Sequence, residues 1–133
     1  MSLERINPES LAKPSGFAHA VRAVDTVRIH LAGQTALDRD GHIVGTTIVE
    51  QFEQALTNLL TALAEAGGRP EHLASVTIYL TDIADYRAHA REVGAVWRRV
   101  AGREYPAMAA VGVTRLWDEA ALVEIQGVAE LSS

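Results

Sequence analysis

Apolar and polar positions change period several times along the chain, and each change marks an element. Ala20-Val21-Arg22-Ala23-Val24 and residues 26–31 (TVRIHL) alternate around Asp25, which predicts a hairpin with Val27, Ile29 and Leu31 on one face. Asp38-Arg39-Asp40-Gly41-His42 supplies turn residues. From Thr47 the period lengthens: Ile48, Phe52, Ala55, Leu56, Leu59 and Leu63 recur at helical spacing. Thr47 and Glu50 form a capping-box pattern at its start, and Gly67-Gly68 with Pro70 ends it. Residues 75–80 (SVTIYL) alternate as a strand. A second helix begins after Asp82, carries Tyr86, Ala90, Val93, Trp97 and Val100 as its apolar stripe, and stops at Gly102. Residues 107–114 and 122–129 are the closing strands, and residues 1–15, with Pro8 and Pro14, read as irregular.

The order β-β-α-β-α-β-β predicts an α+β domain, a mixed sheet with two helices on one face, because right-handed crossovers place both helices on the same side. The other sheet face is then uncovered in a single chain. Met108, Ala110, Gly112, Leu122 and Val128 are assigned to it, and their apolar character implies burial by self-association.

Composition narrows the class. The chain has 133 residues, which suits one domain over residues 1–133. It has no cysteine, so a disulfide framework, a thiol nucleophile and cysteine-based metal sites are excluded. Its net charge of −5, from 17 acidic and 12 basic side chains, argues against nucleic acid as a partner. The polar N-terminus and the lack of a long apolar run predict a cytoplasmic protein without membrane attachment.

No phosphate-loop, nucleophile-elbow or zinc-protease pattern is present. The five histidines lack ligand spacing, although His19 and His30 would approach each other across the first hairpin. Asp38 and Asp40 fit turn chemistry, and Arg98-Arg99 fits the C-terminal dipole of the second helix. Glu124 stands out. It lies in an otherwise apolar or small strand, LVEIQGV, and alternation puts it with Gln126 on the uncovered face. A carboxylate there is either a general acid/base or a polar contact between subunits.

Several stretches, in order and at family spacing, give the chain a resemblance to the RidA/YjgF family, also labelled endoribonuclease L-PSP. They are Gly16-Phe17-Ala18-His19-Ala20-Val21, Leu31-Ala32-Gly33-Gln34, residues 50–67, residues 76–82 (VTIYLTD), Tyr105-Pro106-Ala107 and residues 122–129 (LVEIQGVA). The resemblance spans residues 5–130 and implies a chorismate-mutase-like fold, a homotrimer and a small-molecule cleft between subunits. It implies hydrolysis of enamines or imines without a cofactor or metal, and it does not support ribonuclease chemistry in so acidic a chain.

By the same resemblance Glu124 is the glutamate that positions the attacking water, and Gly33 and Gln34 line the cleft. Three positions depart from the family. Phe17 stands where the family has a tyrosine, Ala32 where it has a serine, and Met108 where an arginine clamps the substrate carboxylate. Methionine offers no charge and no paired donors, so 2-imino acids of the founding type are expected to bind poorly. Two outcomes follow: hydrolysis of a less anionic imine at Glu124, or a non-catalytic trimer that binds a small molecule. Arg22 and Arg115 are the cations considered as replacements.

Overall fold

The computed structural model describes residues 2–132. The elements run β1 (Ser2–Ile6), β2 (Ala20–Val24), β3 (Thr26–Gln34), α1 (Ile48–Glu65), β4 (Leu73–Leu80), α2 (Ile83–Ala88), α3 (Ala90–Ala101), β5 (Ala107–Gly112) and β6 (Val123–Ser132). A 3-10 turn, Pro70–His72, precedes β4.

The main sheet has the order β3-β6-β4-β5. Strand β6 is antiparallel to both β3 and β4, and β4 is parallel to β5. Strands β3, β4 and β5 therefore share one direction, with β6 inserted between the first two. Parallel strands need a crossover, and helices α1 and α3 occupy the two crossovers. Both pack on the same sheet face, which makes the mixed α+β architecture expected from the pattern.

Helix α1 begins where the capping box predicted. The Thr47 hydroxyl accepts from the Glu50 amide, and the Glu50 carboxylate accepts from the Thr47 amide. The Thr46 amide, then the Thr47 hydroxyl and amide, donate to the Glu50 carboxylate and hold it below the usual carboxylate range. Phe52, Ala55, Leu56, Leu59 and Leu63 are fully buried against Leu73, Leu80, Val123, Ile125 and Ala129 of the sheet. Gln51 is the one buried polar group on that helix face. Its Nε2 donates to the carbonyls of Gly45 and Ala120, and its Oε1 accepts from the Leu122 amide. It thus fixes the start of α1 to the loop entering β6.

Four expectations are corrected. The N-terminal segment taken as irregular contains β1, which pairs antiparallel with β2. Strands β2 and β3 do not form a hairpin, since only Asp25 separates them, at φ 55°, and the tightest common hairpin loop needs two residues. The chain instead bends at Asp25 and passes from the β1-β2 ribbon into the main sheet.

The helix after Asp82 is two helices. His89, at φ −111°, interrupts it, with its Nδ1 2.9 Å from the Asp85 carbonyl. That bond, and then the Asp85 carboxylate, raise the His89 pKa. Finally, Met108, Ala110 and Gly112 do not lie on the uncovered face. In the parallel ladder they stand beside Val76, Ile78 and Leu80, which point toward the helices. Ala107, Ala109 and Val111 take the outer face instead, with Val128 of the expected set, whereas Leu122, just before β6, packs against the core.

Candidate functional site

On β6, Val123, Ile125, Gly127, Ala129 and Leu131 are buried toward the helices, so Glu124 and Gln126 project from the opposite face as alternation requires. Glu124 stands beside Tyr79 of β4, whose hydroxyl donates to Gln126 Oε1 at 3.0 Å. On the other side, the β3-β6 register shifts between Leu31 and Gln34. Such an irregularity bends the strand and re-aims its backbone.

Gly33 lies in this bend, and the Glu124 carboxylate occupies the space a β-carbon at Gly33 would need. All three atoms nearest to that position belong to Glu124. Gly33 is not in the left-handed region, so the glycine is required for space rather than for backbone freedom. Gln34 is half-buried opposite Ile125, and Ala32 is exposed. Glu124 has no ion-pair partner among the described residues.

Met108 is elsewhere. Strand β4 separates β5 from β6, and Met108 points to the helix side while Glu124 points away from it. Within one chain the two residues therefore do not meet. Met108 and Ala110 floor a cavity of about 720 Å³ between β5, α3 and the Ser15-Gly16-Phe17 loop. Its walls are Phe17, Phe52, Tyr86, Trp97 and Tyr105. Trp97 and Tyr105 stack at 6.3 Å between ring centroids, and Phe17 meets His19 edge-on at 5.1 Å. Burial raises the Tyr86 pKa, so its phenol stays protonated. The loop is fastened to the start of β5 by the Ala18 amide, which donates to the Pro106 carbonyl at 2.9 Å.

The sequence-derived set is thus divided. Ala32, Gly33, Gln34 and Glu124 gather at the β3 bend, while Phe17 and Met108 line the cavity. Neither arginine considered as a replacement lines that cavity. Arg22 faces Glu4 on the β1-β2 ribbon at 3.4 Å, and Arg115 donates to the carbonyls of Leu116 and Trp117.

His19 and His30 are not brought together across a hairpin. His19 contacts the Ala12 carbonyl and His30 stands beside Val128 of β6. Among the described residues no cluster of histidines and acids could hold a metal ion. Arg99 pairs with Glu53 of α1 at 2.6 Å, whereas Arg98 turns back across Gly94. Arg91 and Arg98 both border the cavity. Sequence reasoning missed Arg91 and gave Arg98 to the helix dipole, although Arg91, Gly94 and Arg98 sit at positions i, i+3 and i+7, one face of a helix. Among the described residues no helix is long and apolar enough to cross a membrane.

Residues 9–131 match the family described as Endoribonuclease L-PSP. The chain is 32% identical over 131 residues to a RutC family protein of Pyrococcus abyssi, covering 97% of this chain and 98% of that one. It is 33% identical over 102 residues to a 2-iminobutanoate/2-iminopropanoate deaminase of Capra hircus, covering 76% and 71%. Among solved structures it is similar to YyfB of Yersinia pestis, described as a protein of unknown function of the conserved Rid family. That likeness has a TM-score of 0.88 at 31% identity and covers 98% of this chain and all of the other.

Proposed function

Because the chain belongs to the Endoribonuclease L-PSP family, also called RidA/YjgF, we propose that it assembles as a cytoplasmic homotrimer that hydrolyses an enamine or imine in clefts between subunits. The observation that carries this is the lodging of the Glu124 carboxylate against Gly33, on the sheet face away from the helices. In the proposed trimer this sheet face meets a neighbouring subunit, and the carboxylate has no ion-pair partner among the described residues to hold it back. The division of the site has the same consequence. A cleft built from the Gly33–Glu124 group of one protomer and the Met108 cavity of the next unites residues that a single chain keeps apart.

Hydrolysis needs little machinery. Glu124 takes a proton from water as the water oxygen adds to the carbon of the N-protonated imine, giving a neutral carbinolamine. It then returns that proton to the nitrogen, the carbon–nitrogen bond breaks as the hydroxyl oxygen becomes the carbonyl, and the hydroxyl proton passes through the Glu124 carboxylate to the released ammonia. No cofactor is consumed. Tyr79 and Gln126, hydrogen-bonded to each other beside Glu124, help fix the water. The deaminase from Capra hircus is named for 2-imino acids; here Met108 removes the arginine that the resemblance assigns to their carboxylate, so small aliphatic imino acids are poor substrates.

A non-catalytic binding trimer is the second reading, favoured by that same Met108 together with Phe17 and Ala32, each less polar than the family residue. One assay decides between the two. Imines are generated in situ by an amino-acid oxidase or dehydratase, and ammonia and carbonyl release are followed with and without the protein. Acceleration that is lost in Glu124→Gln supports hydrolysis. No acceleration with any imine leaves the binding trimer.

A further inference from the structure

We propose that Arg91 and Arg98 of α3 hold the carboxylate of a small aromatic acid in the cavity floored by Met108. This rests on the cavity being the ligand-receiving half of the cleft. The cavity's volume, about 720 Å³, lies in the range of sites for small organic ligands. Half-buried Phe17, Tyr86 and Tyr105 offer ring faces and edges to a planar apolar body, with the Trp97–Tyr105 stack as one side, while Phe52 is fully buried.

Its charge is one-sided. In a chain of net charge −5, the lining includes two arginines and no aspartate or glutamate. The Tyr86 phenol adds no negative charge either, because burial keeps it protonated. Neither Arg91 nor Arg98 has an ion-pair partner among the described residues. Arg5, Arg39, Arg87 and Arg103 are also without one among the described residues, but they do not border the cavity.

Arg98, although exposed, lies over a glycine of its own helix. Its Nη1 would lie 3.3 Å from a β-carbon at Gly94, so the side chain runs back along the helix over the bare glycine toward the cavity. A guanidinium unpaired beside an apolar chamber is suited to a carboxylate, which it can grip through paired N–H donors. The cation absent at Met108 on the strand is thus supplied by the facing helix. That arrangement puts the acid group at the cavity's helix side and leaves the floor apolar, which favours a ring-bearing acid over a short aliphatic one.

The test uses two probes of one shape, 3-phenylpropanoate and its neutral amide. Binding is read by fluorescence of Trp97, in a Trp117→Phe background because Trp117 is 92% exposed and lies outside the cavity lining. The acid is expected to bind at least tenfold more tightly than the amide, a difference that shrinks as salt is raised. Arg91→Gln with Arg98→Gln should abolish the difference, with a loss at least tenfold larger for the acid than for the amide. Arg91→Lys with Arg98→Lys should restore part of it, which a merely structural role would not.

Equal binding of acid and amide, no binding of either, or a preference that survives the double glutamine variant would overturn the proposal. The hydrolysis assay separates its failure from that of the proposed reaction. An acid preference with no imine hydrolysis overturns only the reaction. Hydrolysis dependent on Glu124 without an acid preference overturns only the arginine pair.

Discussion

Replacing Gly33 with alanine moves Glu124 without removing it, and so isolates the contact on which the proposed chemistry depends. The new methyl group would stand where the carboxylate now lies, with no atom of any other residue as near. Backbone strain is not at issue, since Gly33 lies outside the left-handed region. The far end of a glutamate can swing aside, and holding it off its preferred rotamer costs about 0.5–1.5 kcal/mol. Alanine at a compatible backbone position also stiffens the unfolded chain, which offsets about 0.4–1 kcal/mol of that cost. Gly33→Ala is therefore expected to lie within about 1 kcal/mol of the native protein.

In a Glu124→Ala background the methyl group meets nothing, and the same substitution should be neutral or stabilising by about 0.4–1 kcal/mol. The double-mutant cycle then yields a coupling of about 0.5–1.5 kcal/mol. Urea unfolding at one fixed protein concentration measures all four corners, because subunit association makes stability concentration-dependent. Imine hydrolysis should fall at least about tenfold in Gly33→Ala, since a small displacement of a positioned group is enough to lose that much. A coupling of zero would refute the contact. So would a cost above about 3 kcal/mol for Gly33→Ala when Glu124 is already alanine, because a different clash would then be at work.

Gln51→Leu strands two carbonyls and one amide that the side chain now satisfies, so a loss of about 3 kcal/mol or more and a clear fall in Tm are expected by thermal unfolding. Arg28→Ala leaves the Glu130 carboxylate, 5% exposed, with only the Thr26 hydroxyl, and should cost about 2 kcal/mol near neutral pH. The Arg28 hydrogen bond is the main cause of the lowered Glu130 pKa. The native protein thus has this stabilisation above the ordinary carboxylate value and loses it as pH falls through the folded value. In Arg28→Ala that acid-side decline is smaller, as urea midpoints across pH 3–7 would show. Sedimentation equilibrium at micromolar protein should report a trimer, and a well-folded monomer would contradict the assembly.

Local signals in the sequence were followed closely by the fold. The Thr47–Glu50 box, the apolar stripe from Ile48 to Leu63 and the alternation before Leu80 each depend on neighbours a few residues away, and each element formed where its pattern lies. What was illegible depends on distant partners. β1 is five residues with charges at Glu4 and Arg5, and only its pairing with β2 makes it a strand. The face of Met108 is set by its parallel register against Val76, which no periodicity within residues 107–112 can reveal.

The candidate site shows the same division. Glu124 stood out because one carboxylate interrupted an apolar strand, and alternation alone gave its side of the sheet. Its lodging on Gly33 required the β3-β6 pairing. Arg98 was assigned to the helix dipole because its position in the last turn is local information, whereas its path over Gly94 toward β5 is tertiary.

A complete site that takes residues from two subunits can be rebuilt by complementation between chains defective in different halves. Glu124→Gln damages the group at the β3 bend, and Ala110→Trp fills the cavity at its floor. Each homotrimer should be inactive in imine hydrolysis. When the two chains are unfolded together and refolded at equal amounts, about one interface in four should join an intact Glu124 to an intact cavity, if subunits meet head to tail in a closed ring. About a quarter of native activity is the predicted result. Mixed trimers, verified by mass, that show no more activity than the separate variants would contradict a shared site.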